Sequence, residues 1–315
     1  NRYYKNKVIN QENKPQEDQV ADFNEVDVKE LLLVLWKRKL TVISITLVFT
    51  FLTVIAAMSM TNIFTSESLL TVKGDGESSS LSKYSGLASL AGINLPSSGG
   101  VDKGELVRAT IMSRAFLKHL ITFDLILPSL MAVKGYDEET KTLSFDKTQF
   151  DIETNSWIEG SEPPSVMETW ETYTETVYAK YDKKTGFFFV SATHISPRFS
   201  KELLNLIIDQ INVLLRQKDI DETTAAIKYL SEEYSRTSLL DTKNSITELI
   251  QGQLQTQTMA KISDDYVLQK IEPPFEPIIA SFPNKIVILI LGCISSFLLG
   301  IAWVLIPHYV PSLRK

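Results

Sequence analysis

The sequence has very few of the residues that most often perform chemistry. Among its 315 residues there are one cysteine, Cys293, and three histidines, His119, His194 and His308. A single cysteine forms no intrachain disulfide and leaves no thiolate zinc site. The histidines are far apart and no HExxH motif occurs, which argues against a zinc enzyme. No Asn-x-Ser/Thr acceptor is present either, which disfavours a eukaryotic secreted domain.

Other catalytic motifs are missing or incomplete. Residues 99–104 have the glycine spacing of a phosphate-binding loop, but Glu105 stands where that loop needs lysine, so we interpret them as a flexible turn. The acidic pairs Glu232-Glu233 and Asp264-Asp265 lie in or beside a helical region, where paired carboxylates are usually solvated. No GxSxG motif occurs. We therefore predict a protein that is not an enzyme and needs no cofactor or metal.

Charge is absent from two long stretches of the chain. No charged residue occurs from Leu40 to Ser66, and no Asp, Glu, Lys or Arg occurs from Ile286 to His308. Within them, residues 40–60 and 286–306 are mostly apolar and long enough to cross the hydrocarbon core of a bilayer. A signal peptide would be shorter and would lie nearer the N-terminus. We predict two transmembrane helices, which excludes both an ordinary soluble protein and a polytopic transporter.

Basic residues beside the two spans predict their orientation. Arg314 and Lys315 follow the second span, whereas Lys285, before it, argues the other way. A cluster of three precedes the first span directly: Lys37, Arg38 and Lys39. Because Lys and Arg are enriched on the cytoplasmic side, we predict that both termini are cytoplasmic. Residues 61–285 are then periplasmic in the inner membrane of a Gram-negative bacterium.

The flanking regions and the central domain differ in composition. Residues 1–22 are polar, which predicts a disordered cytoplasmic tail, and residues 307–315 form a second short tail. Residues 23–39 are predicted to hold a short helix at the membrane surface, with Trp36 at the headgroup level. Residues 61–285 contain 22 Lys and Arg against 31 Asp and Glu. That balance gives no reason to expect nucleic acid as a partner.

The central domain is predicted to be mixed α and β. Apolar alternation and flanking turns predict three strands, over residues 63–72, 186–193 and 266–271. Helical spacing predicts helices over 105–123 and 166–180. Pairing of the three strands would form a compact base beside the membrane. The predicted fold is therefore an α+β membrane protein, with two transmembrane helices flanking a periplasmic α/β base domain that carries a long extended helix.

A long helical region follows the strand over residues 186–193. From Pro197 to Ile262 there is no further proline and only one glycine, Gly252. We favour a single long or gently broken helix, about 100 Å long at 1.5 Å per residue. The alternative is two or three helices with a break near 219–221 or 241–245. A rod of that length needs neighbours, which indicates a homo-oligomer.

Small residues recur at helical spacing in the second span. Gly292, Ser296 and Gly300 lie four residues apart and share one face. Such a face allows another transmembrane helix to approach closely. The partner helix could be the first span of the same chain, the second span of a neighbouring chain, or a span of another protein.

The order of these features resembles a known family, the Wzz-type polysaccharide co-polymerases, which are O-antigen chain-length determinants. The resemblance includes residues 25–31 and 35–39 before the first span, 64–70 and 87–93 after it, and 194–197 at the start of the long helix. Its most specific element is a proline-rich motif and a basic residue before the second span: Pro273, Pro274, Pro277, Pro283 and Lys285. Gly292 and Gly300 then match the small residues that the family has in that span.

The resemblance implies a function without a reaction. Members of this family form rings in the inner membrane and set the modal length of a lipid-linked O-antigen that a separate polymerase makes. The implied partners are other copies of the chain, that polymerase and the lipid-linked polysaccharide. The alternative is a capsule or exopolysaccharide export co-polymerase that works with a separate tyrosine kinase. A two-span sensor would need a cytoplasmic output module, for which we find no candidate segment.

Overall fold

The structure is a computed structural model that describes residues 28–73, 102–160 and 162–309. It divides into two compact units, one of Asn1–Met58 with Ile286–Lys315 and the other of Ser59–Lys285. The predicted disordered tail, the small-apolar segment at residues 87–93 and the basic pair Arg314-Lys315 lie outside the described residues.

Three helices form the first unit. Helix α1 spans Val28–Lys37, α2 spans Lys39–Ser59, and α9, the last helix, spans Lys285–Tyr309. Lys39–Ser59 and Lys285–Ile306 are long and apolar enough to cross a membrane, with mean hydropathies of 2.4 and 2.5. Both ranges begin one residue before the predicted spans. Their role as transmembrane helices rests on this length and composition.

The second unit is built on a four-stranded antiparallel sheet. Its strands are β1 (Phe64–Val72), β6 (Val177–Asp182), β7 (Phe187–His194) and β8 (Leu268–Glu272), in the order β6-β7-β1-β8. Phe64 pairs with His194 at one end of β1, and Val72 pairs with Leu268 at the other. The predicted pairing of the three strands is confirmed, with the first strand lying between the other two.

Short elements complete the second unit between β1 and β7. Helices α3 (Lys103–Ile111), α4 (Arg114–Leu120) and α5 (Ile126–Met131) come first. Two small hairpins and a helix follow: β2 (Val133–Asp137), β3 (Thr142–Phe145), β4 (Phe150–Asp151), β5 (Ser156–Trp157) and α6 (Val166–Thr176).

The buried faces of the strands and of the long helix form one core. Phe64, Ser66, Ser68 and Leu70 of β1 are buried, whereas the residues between them are not. Helix α7 (Pro197–Arg236) packs on this face through side chains that are fully buried: Leu203, Leu204, Ile207, Ile208 and Ile211. Burial of such side chains stabilises a fold by about 1.5–3 kcal/mol each.

The predicted helix over residues 105–123 is wrong as a single element. It breaks after Ile111, and the hydroxyl of Ser113 begins α4 by accepting from the N–H of Phe116 at 3.1 Å. A serine at this position satisfies a free N–H of the first turn. Trp170 and Tyr173 of α6 donate to the carbonyls at the end of α3, so α6 packs across the break.

The predicted helix over 166–180 is also too long. Helix α6 ends at Thr176, and β6 begins at Val177. Val177, Ala179 and Tyr181 are buried, whereas Tyr178 and Lys180 between them are exposed. A period of two is typical of a strand on the edge of a core. The predicted last strand, over 266–271, is shifted to Leu268–Glu272.

The favoured single rod over 197–262 is wrong, because the chain forms two helices. Helix α7 begins at Pro197, as predicted, where Ser196 Oγ accepts from the N–H of Phe199, and it ends at Arg236. Helix α8 spans Leu240–Ile262 and folds back on α7, with Gln257 Nε2 donating to Thr224 Oγ1 at 2.8 Å. Thr237 and Ser238 at the break are residues whose side chains favour non-helical backbone. The alternative with a break near 241–245 was therefore closer.

Candidate functional site

The small-residue face of α9 packs against α2 of the same chain. A Cβ atom added to Gly292 would overlap the side chain of Thr53. A Cβ added to Gly300 would lie 3.1 Å from the carbonyl oxygen of Val42. Ser296, between the two glycines, is buried. The face therefore meets the first of the three partners that the sequence left open, and its glycines let the two backbones approach closely.

Three hydroxyl groups at this contact are satisfied within their own helices, whereas the buried Oγ1 of Thr50 on α2 has no hydrogen-bond partner among the described residues. Ser296 Oγ donates to the carbonyl of Gly292 at 2.6 Å. On the facing helix, Thr46 donates to the carbonyl of Val42 and Thr53 to that of Phe49, both at 2.9 Å. These bonds back to the preceding turn keep the hydroxyls from needing a partner across the interface. The contact is one of close packing.

Three of the four prolines of the proline-rich motif are buried, whereas the large apolar residues between them are exposed. Pro274, Pro277 and Pro283 are buried, and Pro273 is exposed. Lys285, the basic residue of the motif, is exposed and begins α9. Four large apolar side chains of the same segment are exposed: Phe275, Ile278, Ile279 and Phe282. We call residues 273–284 the proline segment.

Hydrogen bonds fix the proline segment to the first strand. Ser66 Oγ donates to the carbonyl of Phe275 at 2.7 Å, and Ser68 Oγ donates to that of Glu272 at 2.6 Å. Both serines are buried, and we did not single them out from the sequence. Their alternation with Phe64 and Leu70 along β1 is the signal that could have shown them to be on the buried face.

The end of the proline segment pairs with the start of the domain. The N–H of Ile63 donates to the carbonyl of Phe282, and the N–H of Ser281 donates to the carbonyl of Ile63, both at 2.8 Å. Ser281 Oγ also accepts from the N–H of Thr65 at 3.1 Å. The first and last residues of the second unit are thus held together by backbone pairing.

The basic cluster lies at the junction of α1 and α2. Lys37 ends α1, Lys39 begins α2, and Arg38 lies between the helices. The ammonium group of Lys39 lies 5.0 Å from the centre of the Trp36 ring, within the range of a cation–π contact. Trp36 is otherwise exposed. An exposed tryptophan beside basic residues is typical of a membrane–water interface.

His194, at the end of β7, has a structural role. Its Nδ1 accepts from the N–H of Ser196 at 3.1 Å, so the ring proton lies on Nε2, which donates to the carbonyl of Ser129 at 2.9 Å. Burial lowers the pKa of His194 to about 4. The hydrogen bond to the Ser129 carbonyl has the opposite, smaller effect on this pKa. The imidazole is therefore neutral at physiological pH and links β7, α5 and α7.

Asn212 fixes the chain as it enters β8. Its Oδ1 accepts from the N–H groups of Val267 and Leu268 at 2.9 and 2.8 Å, and its Nδ2 donates to the carbonyl of Leu268 at 2.9 Å. Asn212 lies on α7 and is buried. We did not predict a role for this residue. The observation that could have indicated one is a polar amide at a position of α7 where the helical spacing expects an apolar side chain.

The glycine-rich stretch with the spacing of a phosphate-binding loop serves the fold. Gly104, from the glycine-rich stretch, lies inside α3 and not in a flexible turn, because the Tyr181 ring packs directly on its backbone. The carboxylate of Asp102 accepts from the N–H of Gly104 at 3.0 Å and caps that helix. Within the described residues, no group of three or more His, Cys, Asp and Glu side chains is placed to hold a metal ion.

Comparison with protein families gives the deciding observation. Residues 24–122 match the family described as Wzz: Chain length determinant protein. The matched range covers 99 of the 315 residues. The match confirms the resemblance over α1, the basic cluster, α2, β1, α3 and α4. The proline segment and the small-residue face of α9 lie outside the matched range.

Two solved structures are similar to this chain at low identity. A full-length bacterial polysaccharide co-polymerase is 14% identical, with a TM-score of 0.41, and the match covers 91% of this chain and 99% of that one. A fragment of WzzB, the polysaccharide co-polymerase from Salmonella Typhimurium, is 15% identical, with a TM-score of 0.28 and coverages of 70% and 100%. No curated protein matches the chain.

Proposed function

We propose that the chain is a non-catalytic regulator that sets the modal length of a lipid-linked O-antigen made by a separate polymerase. The observation that carries this proposal is the match of residues 24–122 to the chain length determinant family. The matched range includes a span and the start of the following domain. This is the arrangement that a protein needs if it acts on a polymer made at a membrane.

The proposed location is the bacterial inner membrane, with both termini in the cytoplasm and the central domain in the periplasm. Two apolar helices and the basic cluster at residues 37–39 support it. The packing of Gly292 and Gly300 on α2 supports two spans that act as a pair.

The proposed assembly is a ring-like homo-oligomer. The α7–α8 hairpin supports it, because its distal half has little core of its own. Large apolar side chains there are exposed by 40–72%: Tyr229, Tyr234, Leu239, Leu240 and Leu254. Neighbouring hairpins would cover such side chains, and apolar surface of this kind marks interaction sites.

Deletion of the gene tests the proposed function. In the native host, lipopolysaccharide from the deletion strain should lose its modal band on a gel and show a broad distribution of O-antigen lengths. Return of the wild-type gene should restore the mode. An unchanged ladder in the deletion strain contradicts the O-antigen proposal.

The deletion strain also distinguishes the alternative function from the O-antigen proposal. A capsule or exopolysaccharide co-polymerase would leave the lipopolysaccharide ladder unchanged and alter the length or amount of the exported polymer. That function would also need a separate tyrosine kinase gene in the host. A normal capsule together with a changed ladder supports the O-antigen proposal.

A further inference from the structure

The proline segment presents an apolar surface that no described residue covers. Ile278 is 95% exposed and Ile279 is 82% exposed, the highest values among the large apolar side chains that the structure describes. Phe282 is 61% exposed and Phe275 is 46% exposed. Single exposed apolar residues are ordinary, but four in eight residues form a patch that indicates a binding surface.

The backbone around the patch is fixed, so the exposure is enforced by the fold. Pro274, Pro277 and Pro283 are buried and have restricted backbone angles. Phe275 and Phe282 are held through their carbonyls, by Ser66 Oγ and by the N–H of Ile63. These contacts hold the segment on both sides of Ile278 and Ile279.

Charge around the patch is compatible with lipid. Residues 277–284 contain no charged side chain, and neither do residues 61–66, of which Ile63 and Thr65 bond to the segment. One carboxylate from another element lies nearby, because Asn62 Nδ2 donates to Glu138 at 3.4 Å. Glu276 is the one charged residue in the proline segment. A surface for a folded protein partner usually has a polar, charged rim, whereas an uncharged stretch continuous with a span suits the bilayer interface.

The chain length to the second span limits how far the patch can lie from the bilayer. Phe282 lies three residues before Lys285, a separation of at most about 10 Å along an extended chain. Ile278 lies seven residues before it, at most about 25 Å. The interfacial regions add about 5–8 Å on each side of a hydrocarbon core of about 30 Å.

We propose that Phe275, Ile278, Ile279 and Phe282 insert into the headgroup region of the bilayer and anchor the base of the domain to lipid. The anchor would act at both ends of the domain, because Phe282 is paired with Ile63. This inference goes beyond the control of polysaccharide length and does not depend on it.

The test places an environment-sensitive NBD fluorophore on the segment. Cys293 is replaced by Ser, Ile278→Cys is labelled, and the full chain is reconstituted in phosphatidylcholine nanodiscs. We expect blue-shifted emission and a loss of fluorescence with lipids that carry a spin label on the headgroup. The loss should be smaller with a spin label deep in the acyl chain, because the residue is interfacial.

Leu240→Cys in the same background is the matched control. Leu240 is 72% exposed but lies at the turn of the α7–α8 hairpin. The label there should be quenched by neither lipid. Ile279→Cys provides a second position if the first variant is poorly folded, and it should behave as position 278 does.

Two outcomes overturn the proposal. A label at positions 278 and 279 that no spin-labelled lipid quenches, with emission as in water, shows an exposed loop. A blue shift without lipid quenching shows that protein covers the patch, either another copy or a different partner. Both readings leave the polysaccharide proposal intact, because the lipopolysaccharide ladder tests it separately.

Discussion

At the scale of single residues, Asn212 gives the clearest expectation for stability. Replacement by Leu removes three hydrogen bonds and leaves buried backbone groups of Val267 and Leu268 without partners. Unsatisfied buried groups cost about 1–3 kcal/mol each. We expect Asn212→Leu, which leaves three such groups, to lower the free energy of unfolding by about 3 kcal/mol or more, measured by urea unfolding of the detergent-solubilised chain.

Asn244→Leu is the control for that measurement. Asn244 is exposed near the start of α8, and surface substitutions of this kind usually change stability by less than about 0.5 kcal/mol. Equal losses in the two variants would contradict the role given to the Asn212 amide.

His194 makes stability depend on pH. Its pKa is about 4 in the folded chain, against an ordinary value of 6.5, because burial disfavours the charged imidazolium. Unfolding therefore takes up a proton at pH below 6.5, and the contribution is fully present above that value. We expect the free energy of unfolding to fall by up to about 3 kcal/mol as the pH drops from 6.5 towards 4.

The measurement is urea unfolding at several pH values between 7 and 5. His194→Gln should be less stable at pH 7 but should show a flatter dependence on pH. Asn212→Leu should be destabilised with the wild-type slope, because it keeps the histidine. A wild-type slope in His194→Gln would mean that other groups cause the pH dependence.

At the scale of elements, the α7–α8 hairpin can be tested directly. The side chains of Thr224 and Gln257 are in contact, whereas a continuous helix would place them about 50 Å apart. In the Cys293→Ser background, Thr224→Cys with Gln257→Cys should be joined within one chain by a short thiol cross-linker. Mass spectrometry of mixed isotope-labelled and unlabelled chains distinguishes this product from a link between chains.

A second cysteine pair controls for chance encounters. Thr224→Cys with Thr247→Cys places the thiols about 15 Å apart along the helices, because Thr247 is ten residues from the contacting Gln257. The same short linker should join this pair poorly. Efficient linkage of the control pair, or none of the first, would be inconsistent with the antiparallel register.

The packed face between α2 and α9 gives an expectation for the spans. Gly292→Leu should force the two helices apart, because a Cβ atom alone would already overlap Thr53. We expect a lower melting temperature in detergent and, with the proposed function, a shifted distribution of O-antigen lengths. Combining Gly292→Ala with Thr53→Gly should restore part of the packing.

Cys293→Leu is the matched control in the same helix. Cys293 is exposed on α9, so a larger apolar side chain there meets no other described residue. It should leave both the melting temperature and the O-antigen distribution unchanged. Identical effects of Cys293→Leu and Gly292→Leu would show that the contact with α2 is not the cause.

Local patterns predicted elements well, and their errors have specific causes. The strand at residues 63–72 and the start of α7 at Ser196-Pro197 follow from alternation and capping, which depend on neighbouring residues alone. The prediction of a single rod was wrong because Thr237 and Ser238 are only weak helix breakers. The packing of α8 on α7 decides that the chain reverses direction there. The strand β6 was missed because Val177–Asp182 follows a helix without a turn residue between them.

At the scale of the whole molecule, the proposed orientation rests on the basic cluster and can be tested with reporter fusions. We expect green fluorescent protein fused after Lys315 to fluoresce, because that end is predicted to be cytoplasmic. Alkaline phosphatase fused at Asn155, in an exposed turn of the second unit, should be active in the periplasm. Exchanging the two reporters is the control and should abolish both signals.

The candidate sites were predictable only as sequence positions. The glycines at 292 and 300 and the prolines from 273 to 283 are visible by spacing, but their partners are not. Gly292 meets Thr53 and Gly300 meets Val42, both more than two hundred residues earlier in the chain, which no local pattern encodes. The outward direction of Ile278 and Ile279 likewise depends on which prolines the fold buries.

The pairing of Ile63 with Phe282 means that the domain between them could be moved to another chain as a unit. Its two ends are joined by backbone hydrogen bonds, so the points at which the chain enters and leaves the domain are adjacent. Domains with adjacent ends tolerate circular permutation and insertion. The whole domain could be excised, closed with a short linker and opened elsewhere, or exchanged for another between the same two spans.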